Sequence, residues 1–342
     1  MDNIKDLVRP NILELLRYSS AREEYTGEAH VFLDANENPF GSLNRYPDPY
    51  QKALKKELAS LKGVSAKNIF IGNGSDEVID LAFRIFCEPG IDRALSFTPS
   101  YGMYEVSAAI NNIALQKVAL NEIFQIDRSI ITPYLRDPSI KLLFLCSPNN
   151  PTGNLLKSED VEFILTRFKG IVILDEAYID FSPTASLIGM TKRFKNLIVS
   201  QTFSKAWGLA SARIGVAYGD AETIALYNKV KPPYNVSGLS QKAALNALEN
   251  KSKQKETIVL LLTERKKLVS QLSEIPIVKR IYPSQANFIL IEVQDANRLY
   301  NTLITKKIIL RNRNSQVKNC LRITIGTPEE NDLLIHTLKK LS

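Results

Sequence analysis

One lysine stands among small hydroxyl residues just after an apolar run, in Thr202-Phe203-Ser204-Lys205-Ala206-Trp207-Gly208-Leu209. Arg213 follows at the start of the next apolar run. A lysine that attacks an aldehyde needs its neutral form, which desolvation and a nearby cation favour. Arg213, Thr202 and Ser204 would suit a bound phosphate. Taken alone, the segment fits an ordinary surface lysine as well. A second group is Ile171-Val172-Ile173-Leu174-Asp175-Glu176-Ala177-Tyr178. An acid at the C-terminal end of a buried strand lies where α/β sheets place ligands. Facing a pyridine nitrogen, Asp175 would keep that nitrogen protonated and make the ring an electron sink. Tyr178 would donate to such a ring's phenolic oxygen. A helix N-cap is the competing reading of Asp175.

A third group, Ile69-Phe70-Ile71-Gly72-Asn73-Gly74-Ser75-Asp76-Glu77, runs from a strand through glycines into a helix. Val78, Ile79, Ala82, Ile85 and Phe86 give that helix an apolar face. Free N–H groups and the positive dipole end at Ser75 and Asp76 form a phosphate seat, although both are also good capping residues. The segment matches neither a G-x-G-x-x-G nor a Walker pattern, so nucleotide binding by those routes has no support. Fourth come Asn150, in Cys146-Ser147-Pro148-Asn149-Asn150-Pro151-Thr152-Gly153, and Tyr101, in Pro99-Ser100-Tyr101-Gly102-Met103-Tyr104. Both follow strand-like runs with turn residues and read as loops. There Asn150 is placed to hydrogen-bond a ring oxygen and Tyr101 to stack on a ring face.

These residues hang on an alternating framework. The sequence predicts strands at Asn68–Ile71, Ala94–Phe97, Lys141–Cys146, Ile171–Leu174, Leu197–Val199 and Arg213–Tyr218. Several are apolar on both faces, as strands covered by helices on either side must be. Amphipathic stretches at Gln51–Leu61, Ser75–Cys87 and Ser158–Phe168 alternate with them, the pattern of an α/β domain with a mainly parallel sheet. Beyond Pro232-Pro233 the pattern changes: one long helix from Gly238 to Ile275, strands at Asn287–Val293 and Leu321–Ile325, and a closing helix at Pro328–Leu341. This is a second, α+β lobe. The segment before Leu33 is too short to be a domain and is expected to pack on that lobe. The division is thus a large domain over 33–230 and a small one made of 1–32 and 231–342.

Composition narrows the function classes. Of the 342 residues, 44% are hydrophobic and 23% charged, as in an ordinary globular protein. No apolar run approaches a membrane span, and the acidic start Met1-Asp2-Asn3-Ile4-Lys5-Asp6 argues against a signal peptide and for the cytoplasm. The net charge of +8 is dispersed, without the basic block that nucleic-acid binding would need. Cys87, Cys146 and Cys320 are widely spaced in apolar surroundings and read as buried thiols. With only His30 and His336, no metal site is expected.

Taken in order, the phosphate turn, the stacking aromatic, Asn-Pro-Thr-Gly, Asp-x-x-Tyr, Ser-Lys with a following arginine and a late arginine resemble the fold-type-I pyridoxal-5′-phosphate aminotransferases. The likeness extends over nearly the whole chain and is strongest to the histidinol-phosphate aminotransferase family. Arg9-Pro10-Asn11-Ile12, Leu33-Asp34-Ala35-Asn36-Glu37-Asn38-Pro39, Arg45-Tyr46-Pro47-Asp48 and Cys320-Leu321-Arg322-Ile323-Thr324-Ile325-Gly326-Thr327 carry it. Arg17, where relatives have proline, and a shortened stretch between Arg311 and Arg322 depart from the pattern.

The resemblance implies a fold-type-I architecture, α/β with a seven-stranded, mainly parallel sheet between helices, beside the small α+β domain. It implies an imine between Lys205 and the cofactor aldehyde, Asp175 at the pyridine nitrogen, Tyr178 and Asn150 at the ring oxygen, and Tyr101 on the ring face. Ser75, Asp76, Thr202, Ser204 and Arg213 would hold the cofactor phosphate. Tyr46 would reach the phosphate of a neighbouring subunit's cofactor, which makes a homodimer. Tyr18, Arg311 and Arg322 would bind substrate anions. The implied reaction exchanges the amino group of histidinol phosphate with 2-oxoglutarate, giving imidazole acetol phosphate and glutamate in histidine biosynthesis. Small molecules are the partners, with neither nucleic acid nor membrane. A broad aromatic aminotransferase and a threonine-phosphate decarboxylase of the same fold are the alternatives.

Overall fold

A computed structural model describes residues 4–19, 21–25, 27 and 30–341; Met1, Asp2 and Asn3 of the acidic start lie outside the described residues. Seven strands make the larger sheet: β1 (Ile69–Asn73), β2 (Arg93–Thr98), β3 (Ala114–Ala119), β4 (Ile140–Cys146), β5 (Ile171–Asp175), β6 (Leu197–Thr202) and β7 (Ile214–Tyr218). Their order is β1-β7-β6-β5-β4-β2-β3. The run from β6 to β3 is parallel, and β7 lies antiparallel to both of its neighbours. Strands β5, β6 and β7 are buried throughout.

Helices α1 (Lys52–Lys62), α2 (Ser75–Phe86), α3 (Met103–Ile110), α4 (Ser158–Arg167), α5 (Ala221–Val230) and α6 (Gly238–Glu249) cover the two faces. Val172 and Leu174 of β5 enter one core cluster with Leu54, Leu58 and Ile164, whereas Ile171 and Ile173 enter the other with Val78, Phe83 and Tyr227. This is the period-two alternation of a strand packed on both sides. Burying two apolar faces explains why the central strands read as continuous hydrophobic runs.

The second lobe contains α7 (Lys251–Ser273), β8 (Val278–Tyr282), β9 (Phe288–Val293), α8 (Ala296–Thr305), β10 (Arg311–Asn312), β11 (Cys320–Thr324) and α9 (Pro328–Lys340). Its antiparallel sheet has the order β10-β11-β9-β8. Leu268, Leu272, Leu299, Leu303, Leu334 and Leu338 bury the helices against it. Among the described residues, no helix is long and apolar enough to cross a membrane.

Three expectations change. The single helix over Gly238 to Ile275 is two, broken at Asn250. There φ is −102° and ψ 43°, and the Asn250 side chain donates to Asn246 O at 2.8 Å. An asparagine that serves the backbone in this way offers it an alternative to the helix ladder. Ala244 and Leu248 of α6 lie in the cluster of Leu54 and Leu58, so this helix joins the core of the larger sheet. Residues 4–12 do not pack on the second lobe: Ile4, Val8 and Ile12 are buried in the cluster of α2. The Arg9 N–H donates to Ile85 O at 3.0 Å, and Arg9 pairs with Glu88 at 3.1 Å. The reason is apolar demand: α2 buries residues on most of its circumference and needs a cover on its outer side.

Candidate active site

The C-terminal ends of β4, β5 and β6 lie side by side, with Cys146 opposite Asp175 and Asp175 opposite Ser200. In an open α/β sheet this edge is where ligand-bearing crevices form. Successive residues leave a strand on opposite sides, which separates the acids of Asp175-Glu176. Glu176 is buried and fully engaged, accepting from Ser186, the Leu187 N–H and Gln201. Asp175 faces the crevice. Its Oδ2 accepts from the Tyr104 hydroxyl at 2.8 Å and its Oδ1 from the Ala177 N–H at 3.0 Å. Burial pushes the Asp175 carboxyl up, and these two hydrogen bonds hold it down.

Beside it, the turn after β6 carries Lys205, whose Nζ stands 5.5 Å from the centroid of the Tyr178 ring. Burial lowers the Lys205 pKa first, and Arg322 and Arg213 lower it further, against the pull of Asp175. The geometry therefore supplies an amine that sheds its proton more readily than a solvated lysine.

The turn from β1 into α2 closes one end of the crevice. Gly74 has φ +81°, and a Cβ there would run into the Arg213 guanidinium. Across the β1–β7 ladder Gly215 pairs with Gly72, and a Cβ on Gly215 would overlap the Gly74 carbonyl carbon and the Ser75 nitrogen. Two glycines thus let the turn sit against β7 and point the first N–H groups of α2 at the crevice. Arg213 lies in the left-handed region (φ 52°). Its Nη2 donates to Asp76 Oδ2 at 3.1 Å, and its Nη1 to Ser204 Oγ at 3.4 Å. Helix N-terminus, guanidinium and hydroxyl make a seat for a phosphate.

The far wall belongs to the second lobe. Phe288 of β9 meets the Tyr178 ring edge-on at 5.0 Å. Arg322 of β11 reaches across, its Nη1 donating to Asn150 Oδ1 at 2.5 Å, while its Nε is buried without a partner. Burial lowers the Arg322 pKa, which Tyr178 counteracts.

The structure brings Ser75, Asp76, Tyr101, Asn150, Asp175, Tyr178, Thr202, Ser204, Lys205 and Arg213 to one crevice, with Cys146 in its lining. Besides Arg322, which touches that lining through Asn150, three of the expected residues lie outside it. Tyr46 stacks on Tyr234 at 4.3 Å in a neighbouring recess that shares Arg213. Tyr18 lines a further recess with Arg17 and Tyr50, where the Arg17 guanidinium lies over the Tyr50 ring. Arg311 is exposed on β10, opposite Arg322. Tyr104 and Arg313 receive no role from the sequence alone. Tyr104 stands in the first turn of α3, just past Tyr101, and the two rings meet edge-on at 5.5 Å. The three cysteines are buried, as expected.

A phosphorylated pyridine aldehyde fits this donor set: an anion seat at one end, a carboxylate deep in the sheet and an amine of lowered basicity between them. A family model described as aminotransferase class I and II matches residues 22–338, and the chain belongs to that family. The fold and the crevice therefore define an aminotransferase. Its relatives are more specific. The chain is 51% identical to a histidinol-phosphate aminotransferase of Parabacteroides distasonis, over 100% of this chain and 99% of that one. It is 52% identical to one of Christiangramia forsetii, over 99% and 98%. The histidinol-phosphate aminotransferase of Sinorhizobium meliloti, solved in complex with pyridoxal-5′-phosphate, has the same fold. It superposes with a TM-score of 0.81 at 24% identity, covering 90% of this chain and 89% of that one.

Proposed function

We propose that this enzyme binds pyridoxal 5′-phosphate through Lys205 and transfers the amino group of histidinol phosphate to 2-oxoglutarate, in histidine biosynthesis. The observation that carries the reading is the convergence of Asp175, Lys205 and Arg213 on one crevice that Arg322 closes from the other lobe. The likeness to named relatives at about half identity over the full chain supports the substrate.

When bound, the cofactor supplies an aldehyde that condenses with primary amines and a ring that takes up the charge left by a departing Cα proton. The residues do the rest. Asp175 would hold a proton on the ring nitrogen. Tyr178 and Asn150 would bind the ring oxygen, and Tyr101 would cover the ring face. Thr202, Ser204, Arg213 and the N–H groups of Ser75 and Asp76 hold the phosphate. The Lys205 amine would take the proton from the substrate's Cα and hold it for return. Arg322, backed by Arg311, binds the substrate's anionic end.

The working form we propose is a cytoplasmic homodimer. Tyr46 lies outside its own crevice, in a recess that also exposes Leu43 and Leu239, which suits service to a neighbouring subunit. Borohydride reduction followed by peptide mapping tests the linkage, and a pyridoxyl adduct at Lys205 is the expected result. Single-turnover assays with histidinol phosphate, phenylalanine, tyrosine and threonine phosphate test the substrate. A negligible rate with histidinol phosphate would discard it, and carbon dioxide release without 2-oxoglutarate would mark a decarboxylase instead.

A further inference from the structure

Arg313 stands just past β10, and its N–H donates to Cys320 O at 2.9 Å, extending the β10–β11 ladder by one residue. In a strand, residues two apart share a face. Arg313 therefore falls on the same side as Arg311, whose cross-strand partner is Arg322. Arg322 touches the crevice lining through Asn150, and Arg311 and Arg313 lie beside Arg322 on the wall made by the second lobe.

Among the described residues, no carboxylate comes within ion-pair distance of any of the three. The Nε atoms of Arg313 and Arg322 are both buried without a hydrogen-bond partner. The charged and titratable groups acting on Arg313 are Arg322, Arg311 and Tyr178; with burial as the larger cause, the two arginines bring its pKa down to about 10. An isolated positive cluster with unused donors is costly unless a ligand brings the negative charge.

The ligands of the proposed reaction differ in what they bring. A carboxylate has two oxygens and one charge, which a single guanidinium fork satisfies. A phosphate monoester has three oxygens and, above a second pKa near ~6, close to two charges. Only the second has work for another guanidinium. We propose that Arg313 is a specificity-determining residue: it binds the dianionic phosphate of the amino donor and contributes little to the dicarboxylate half-reaction. This rests on the substrate reading above.

The test uses the full-length holoenzyme, its R313Q and R313K variants, and separate KM and kcat measurements for histidinol phosphate and for glutamate. Inorganic phosphate serves as a competitive inhibitor of the glutamate half-reaction. R313Q is expected to raise the KM for histidinol phosphate by about ten- to hundred-fold, the range of one lost charge-assisted hydrogen bond. The KM for glutamate stays within roughly three-fold, since its carboxylate keeps the Arg322 fork. The inhibition constant for phosphate weakens along with the first KM. R313K keeps the charge, folds as the wild type does and recovers part of the loss. An unchanged KM for histidinol phosphate, or equal weakening of both substrates, would overturn the proposal. If the wild type turns over glutamate but not histidinol phosphate, the substrate reading fails. The phosphate arm then still decides on Arg313, and an unchanged inhibition constant in R313Q sinks it.

Discussion

The Tyr104 hydroxyl donates to Asp175 Oδ2 at 2.8 Å, a buried bond between the first turn of α3 and the end of β5. The Tyr104 ring is fully enclosed and stacks on Phe144 at 4.8 Å, so Tyr104→Phe removes the donor and keeps the packing. A hydrogen bond to a charged group contributes about 1.5–3 kcal/mol, so cofactor affinity should fall roughly ten-fold or more. The bond holds the Asp175 carboxyl down against burial, and its loss raises that carboxyl further above its ordinary value. A carboxyl raised in the folded state binds more protons there than in the unfolded chain. Apoprotein stability therefore falls as pH rises from the unfolded value through the folded one, and the variant should show a wider and deeper fall. Thermal unfolding of apoprotein against pH, with cofactor titrations, measures both. Wild-type affinity in the variant would mean that Asp175 works without Tyr104.

The readable part of this protein is the part that each local run settles by itself. Ile171–Leu174 and Leu197–Val199 are apolar on both faces, and only a doubly covered strand uses such a run. Edge strand β3 is different: Lys117 is exposed, Gln116 half-buried, the one buried residue is Val118, and pairing with β2 makes it a strand. The break at Asn250 depends on one side chain folding back on the preceding turn. The same division holds in the crevice. Lys205, Asp175 and Arg213 sit in short motifs whose residue types announce a charge or an amine. Tyr104 and Arg313 acquire their roles only when α3 reaches β5 and β10 pairs with β11, which are long-range events.

Gly215→Ala puts a methyl group against the backbone of Gly74 and Ser75, which cannot rotate away as a side chain would. Overpacking a rigid site costs typically about 1–3 kcal/mol, and here the turn that holds the anion seat must move to relieve it. The expected result is a lower unfolding temperature together with weaker cofactor binding. Gly102→Ala is the control: nothing lies within 4 Å of its added methyl, and its φ of −68° suits alanine. That change should stay within about 0.5 kcal/mol of the wild type. Equal behaviour of the two variants in chemical denaturation would contradict the close approach at Gly215.

Stability of the second lobe can be separated from chemistry at α9. Thr327 caps this helix in a box with Glu330, each side chain bonding the other's backbone N–H. Thr327→Ala should cost about 1 kcal/mol. The KM values of both half-reactions should not change, because the cap contacts nothing in the crevice. Urea unfolding with parallel kinetics reads both quantities, and a KM shift without a stability change would place Thr327 in the substrate path.

Arg322 acts on Lys205 through charge as well as on substrate through hydrogen bonds. After burial it is the largest cause holding the Lys205 pKa below its ordinary value, and Asp175 opposes it. Arg322→Ala should raise that pKa, leaving less free amine at neutral pH. Reaction of the apoenzyme with pyridoxal phosphate needs the free amine, so its rate at neutral pH should drop and the rise of rate with pH should move to higher pH. The stability sign follows: a lysine whose folded pKa lies below its unfolded one destabilises the apoprotein increasingly as pH falls through that window. The variant should lose less stability there than the wild type. Arg322→Lys keeps the cation but not the planar fork. It should therefore retain the wild-type pH profile while raising the KM for both substrates. Stopped-flow absorbance of cofactor binding across pH, with steady-state kinetics on the same preparations, separates the two effects. A lysine variant whose profile shifts as far as that of alanine would show that Arg322 controls Lys205 by shape and not by charge.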